Sequence, residues 1–222
     1  MQHNIIPEDI AKRLFKESNL PSIGKAGIRE INKLARDIEA ESGVKFIHME
    51  IGNPGLPAAQ AGIDAQVKAL QDGVAACYPP IDGIPVLKNE ASRFIKNFLD
   101  LDVDAANCIP TVGSMQGAFA TIMITGHIDN KKNTMLFVDP GFPVHKFQCK
   151  VLGIPTEHFD IYDYRGERLR DKLEEVFSTG KIHSILYSNP NNPTWVCLTD
   201  EELRIIGEMA NKYDVIVLED LA

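Results

Sequence analysis

The chain has 222 residues, 44% hydrophobic and 24% charged, an ordinary globular balance for one large domain or a domain plus a fragment of another. Its net charge of −8 gives no electrostatic reason to expect nucleic acid or an anionic membrane as a partner. The apolar runs are too short to span a bilayer, Met1–Ile10 shows no secretory leader, and the four cysteines form no CxxC pair, so zinc and a disulfide framework are disfavoured and reduced thiols in the cytoplasm are expected.

The first ~20 residues carry no assignable pattern. Apolar residues Ile28, Ile31, Ala35 and Ile38 then recur at helical spacing, which predicts a helix from about Gly24 to Glu41, closed by Gly43. Lys45–Ile51 reads as a short strand that enters the loop Gly52–Pro57. Ala58–Leu70 is predicted helical with Gly73 as its stop, and Cys77–Gly83 is a turn-rich loop. Pro85–Leu99 is a second amphipathic helix with proline at its start, where a missing N–H costs little.

From Asn107 onward short apolar strands alternate with helices. The strands are Cys108–Val112, Thr134–Val138, Thr156–Phe159, Ile182–Tyr187 and Val215–Leu218. The helices are Ser114–Thr125, Phe142–Val151, Glu167–Phe177 and Asp200–Lys212. Nearly all-apolar strands in this alternation predict an α/β fold, a mainly parallel sheet with helices on both faces. Ligands of such sheets gather at the carboxyl ends of the strands.

Four turns fall at such ends. Gly113 permits a tight turn into the helix opened by Ser114, Met115 and Gln116, whose first N–H groups would suit an anion; many strand–helix turns look alike, and this one is neither a Walker loop nor GxGxxG. Phe142, in Asp139–His145, would either stack on a ring or sit in the core. Prolines on both sides of Asn191–Asn192 make the Asn189–Thr194 turn rigid and point Asn192 outward, or the run simply leads into the capped helix at Thr199–Glu202. The strand Val215–Leu218 reads as buried and ends in Glu219 and Asp220, which alternation sends to opposite faces.

In this order and spacing, the motifs from Ile51 to Asp220 resemble the class I/II aminotransferases, pyridoxal-5′-phosphate (PLP) enzymes of fold type I. The resemblance implies that Ser114, Met115 and Gln116 bind the cofactor phosphate and that Phe142 stacks on its ring. It implies that Asn192 bonds the ring oxygen and that Asp220 holds the protonated ring nitrogen and is the catalytic carboxylate among these residues. Gly52 would approach the substrate carboxylate, and Tyr78 would reach the phosphate of the neighbouring subunit in a homodimer. A histidine at the place of His145 touches the ring-binding aspartate in some relatives; a surface histidine is the competing reading. The family has glycine where Trp195 stands, so the turn is expected to differ or relax.

The implied organisation is residues 1–50 with the small domain and residues 51–222 as the amino-terminal part of the large PLP-binding domain. The implied activity is amino-group transfer between an amino acid and a 2-oxo acid in a cytoplasmic homodimer, with no metal, nucleic acid or membrane. The family's Schiff-base lysine lies downstream of the aspartate, so this chain alone is expected to be inactive. A PLP-dependent C–S lyase and a non-catalytic aminotransferase-like module are the alternatives. A nicotinamide-dependent enzyme is disfavoured by the missing GxGxxG.

Overall fold

The computed structural model describes residues 5–221. Met1–Asn4, the start of the segment read for a leader, and Ala222 lie outside the described residues. The chain divides into two compact units, Met1–Tyr78 and Pro79–Ala222.

The second unit carries the sheet. Strands β1 (Thr134–Asp139), β2 (Thr156–Asp160), β3 (Ile182–Ser188) and β4 (Ile216–Asp220) form four parallel strands in the order β2-β1-β3-β4. Helix α4 (Pro85–Leu99) precedes the sheet, and α5 (Ser114–Ile128), α6 (Val144–Leu152), α7 (Arg168–Phe177) and α8 (Asp200–Tyr213) connect and cover the strands. Period-two alternation along β1 sends Leu136 and Val138 to one face and Met135 and Phe137 to the other. Leu136 and Val138 pack with Leu169, Leu173 and Phe177 of α7 and Ile205, Ile206 and Met209 of α8. Met135 and Phe137 pack with Ile122 of α5 and Cys149 of α6. Each fully buried aliphatic side chain of these clusters contributes roughly 1.5–3 kcal/mol. All four cysteines are free, and burial pushes the Cys149 thiol up to about 11.

The first unit holds α1 (Glu8–Glu17), α2 (Ile28–Ser42) and α3 (Gln60–Gln71). Leu14 of α1 and Leu34 and Ile38 of α2 form its small core, joined by Ile6, Ile10 and Phe46. Gly43 closes α2 in the left-handed conformation, φ 73°, its N–H bonded to Glu39 O, as its place after the helical pattern predicts.

Several elements differ from the sequence expectation. Helix α2 begins at Ile28 and not near Gly24, because Ala26 and Gly27 are extended and the Glu30 carboxylate accepts from Gly27 N. Lys45–Ile51 is not a strand. Its backbone and side chains turn to local partners: Phe46 N donates to Glu39 Oε1, and His48 bonds Glu39 and Glu50. Cys108–Val112 is not a strand either; Pro110 removes one donor, Ile109 and Val112 are exposed, and no described strand pairs with it. Strand β4 is half-exposed and not buried, since it is the edge strand of the described sheet, with Ile216 40% and Val217 37% exposed.

Candidate active site

Because β1, β3 and β4 are parallel, their carboxyl ends meet along one edge of the sheet, with Ser188 of β3 in register with Asp220 of β4. A small cavity opens there. Asp139, Phe142, His145, Lys146, Ser188 and Asp220 line it over a floor of Phe137, Leu186 and Tyr187. Burial raises the Tyr187 hydroxyl well above its ordinary range, and the Glu219 carboxylate adds to that.

Asp220 is the charged centre of the cavity. Its Oδ2 lies 3.0 Å from His145 Nε2, and the imidazole is 1% exposed. Phe142 meets the His145 ring edge-on, centroids 5.7 Å apart and planes at 73°. Glu219, one residue earlier, accepts from Asn189 Nδ2 instead, as alternation along the strand predicts. Of the two readings of His145, the structure has the one in contact with the aspartate.

The Phe142 loop is fastened at both ends. Lys146 Nζ bonds both carboxylate oxygens of Asp139, at 2.7 and 2.5 Å. Asn191 Nδ2 donates to Pro140 O at 2.6 Å and so ties the loop to the Asn189–Thr194 turn. The same asparagine accepts from the Thr194 hydroxyl, and its backbone closes the turn through Asn191 N to Val196 O and Trp195 N to Asn191 O. Peptide bonds before Pro140, Pro190 and Pro193 are cis. Trp195 takes φ 62°, the left-handed conformation that glycine would favour, so the turn does not relax away from it. The hydrogen bonds on both sides of Trp195 hold that conformation.

Asn192 is exposed and does not line the cavity, although its backbone N–H donates to the Ser188 hydroxyl, which does. Ser114, Met115 and Gln116 form the exposed first turn of α5 behind Gly113, φ 78°. Gln116 Oε1 accepts from Val112 N, and Met115 O accepts from Gln148 Nε2 of α6, the helix that carries His145. Gly52 and Tyr78 belong to the other unit, where both are exposed. Thus Phe142 and Asp220 share the cavity directly, and the α5 turn and Asn192 are tied to residues that line it. The sequence leaves both readings of His145 open and does not mark Asn191 or Gln148, whose partners lie 51 and 33 residues away. Among the described residues no group of three or more His, Cys, Asp or Glu side chains could hold a metal ion.

The sequence model described as "Aminotransferase class I and II" matches residues 44–222. The chain belongs to this aminotransferase family. It is 31% identical over 199 residues to the putative aminotransferase YugH of Bacillus subtilis, across 89% of this chain and 49% of that protein. It is 27% identical over 203 residues to a probable aspartate aminotransferase of Methanocaldococcus jannaschii, across 91% of this chain and 51% of that protein. Among solved structures, the aspartate aminotransferase from Thermus thermophilus with maleate superposes with a TM-score of 0.73 at 20% identity, over 94% of this chain and 52% of that one. The fold is therefore that of the fold-type-I aminotransferases, and the chain spans about half the length of these relatives.

Proposed function

We propose that the protein is a PLP-dependent aminotransferase that moves an amino group between an amino acid and a 2-oxo acid. The observation that carries this reading is the Asp220–His145 pair, 3.0 Å apart, beside Phe142 at the carboxyl ends of parallel strands. The donor set suits PLP: a carboxylate for a pyridine nitrogen, an aromatic face, and a helix start for a phosphate. A Cβ placed on Gly113 would meet nothing within 4 Å, so there is open space at that helix start.

Each residue then has a physical task. Asp220 accepts from a protonated ring nitrogen, because an adjacent anion favours the cationic form. His145 holds that carboxylate in place from a buried position. Phe142 supplies a face for stacking, Asn192 a donor toward the ring oxygen, and the N–H groups of Ser114, Met115 and Gln116 partners for the phosphate. When bound, PLP supplies the electron sink for negative charge at the substrate α-carbon. Gly52 is the candidate for the substrate carboxylate by its backbone N–H.

The same reading includes a homodimer in which Tyr78 serves the partner's site, with residues 1–50 belonging to a small domain and 51–222 to the large one. Exposed apolar residues on α5 and α6 (Met123, Ile124, Ile128, Phe147 and Val151) support association of this surface with another. A cytoplasmic location is proposed with it; among the described residues no helix is long and apolar enough to cross a membrane.

Equilibrium dialysis of the protein against PLP tests the assignment of Asp220. A hydrogen bond to a charged group is worth about 1.5–3 kcal/mol, so Asp220→Ala should weaken binding by about tenfold or more. Equal affinity of the variant and the parent would remove Asp220 from the cofactor site.

A further inference from the structure

Helix α6 places Gln148 one turn after His145, on the same face of the helix. Its amide nitrogen lies 2.9 Å from Met115 O, and its Oε1 lies 3.3 Å from His145 Nδ1. A backbone carbonyl can only accept, so the end of the amide that faces Met115 must be the NH₂ group. The oxygen is then the end that faces the imidazole, and only a protonated Nδ1 satisfies both atoms. On the other side of the ring, Nε2 and Asp220 Oδ2 stand 3.0 Å apart, a distance that needs a hydrogen between them.

We propose that Gln148 is a positioning residue of the site: it fixes His145 in the Nδ1–H form, so that His145 Nε2 and Asp220 Oδ2 hold one further proton between them. The His145–Asp220 pair then carries no net charge. Without Gln148, the imidazole would keep a single proton on Nε2, directed at Asp220, and the pair would carry one negative charge. The alternative form beside Gln148, with Nδ1 unprotonated, would set two lone pairs face to face at a nearly fully buried ring, which is costly. The other charged groups lining the cavity, Asp139 and Lys146, are bonded to each other. The chain of contacts runs from the first turn of α5 through α6 to the end of β4. It therefore couples the helix start proposed for the phosphate to the carboxylate proposed for the ring nitrogen. That coupling rests on the functional reading above, whereas the protonation of His145 rests on this chain's hydrogen bonds alone.

Nitrogen–proton correlation spectra of the histidine side chains, recorded without cofactor and with His145 identified by its loss in His145→Gln, test the proposal. The parent should show a protonated Nδ1 on His145. Gln148→Glu, which still offers an acceptor oxygen, should keep it. Gln148→Leu should lose it and leave a proton on Nε2 only. An unprotonated Nδ1 in the parent would overturn the proposal whether or not either variant folds. So would a Gln148→Leu spectrum identical to the parent's, or a Gln148→Glu spectrum that matches Gln148→Leu. PLP that fails to bind the parent would overturn the functional reading and leave the imidazole result standing.

Discussion

Trp195 occupies a backbone conformation that costs an L-residue roughly 1–2 kcal/mol, and its side chain is 83% exposed, so it gains little from packing. Trp195→Gly removes that strain and gives back part of it as added freedom of the unfolded chain, about 0.5–1 kcal/mol. The variant should be more stable by about 0.5–1 kcal/mol, read as a higher urea midpoint at unchanged slope. A lower midpoint would mean that the indole makes contacts that offset the strain. At this scale the candidate site is partly legible. A carboxylate and an aromatic residue at strand ends make Asp220 and Phe142 candidates, and for Phe142 it is the family resemblance that prefers a ring partner to a core residue. The burial of His145 was not legible, because its partner Asp220 lies 75 residues away and only the parallel sheet brings them together. Gln148 and Asn191 carry no mark in composition or spacing, since an amide on a helix or in a turn is ordinary until its partners are known.

At the scale of elements, the capping sequence Thr199–Glu202 is the best-read feature, and the structure gives it a second role. Glu202 closes the capping box of α8 with Thr199, and it also accepts from Arg165 Nε at 2.6 Å and Gly166 N at 2.9 Å. Burial alone would raise its carboxyl, but Arg165 and the backbone donors Thr199 and Gly166 outweigh that and hold it down at about 2. A folded-state value below the unfolded one contributes stability above the ordinary carboxylate range, and that contribution is lost as pH falls toward about 2. Glu202→Ala should therefore cost about 3 kcal/mol near neutral pH, since it strands a guanidinium and unmakes a cap, and the difference from the parent should shrink in acid. A constant difference across pH would show that the loss is packing alone. Strands β1, β2 and β3 and helices α4 to α8 follow their apolar periodicity to within a few residues. The strands expected at Lys45–Ile51 and Cys108–Val112 fail for a common reason: their apolar residues have the right pattern but no neighbouring strand among the described residues. Helix α1 went unread because Ile6, Ile10 and Leu14 become a stripe only against α2.

For the molecule as a whole, the proposed function makes the edge where β1, β3 and β4 end a cofactor site, served also by the start of α5 and the Asn189–Thr194 turn. Sheet order went unread: β2 is polar and exposed except at Phe159, as its place at an edge requires, whereas β1 is apolar along its length and would be buried equally well beside any neighbour. The direction of the strands was readable from the intervening helices, and direction is what gathers the motifs at one edge. The most direct measurement is a crystal structure of the protein soaked with PLP. The expected result is the pyridine nitrogen within hydrogen-bonding distance of Asp220, the ring against Phe142, and the phosphate at the N–H groups of Ser114, Met115 and Gln116. PLP bound elsewhere, with the ring nitrogen away from Asp220 and the start of α5 empty, would contradict it.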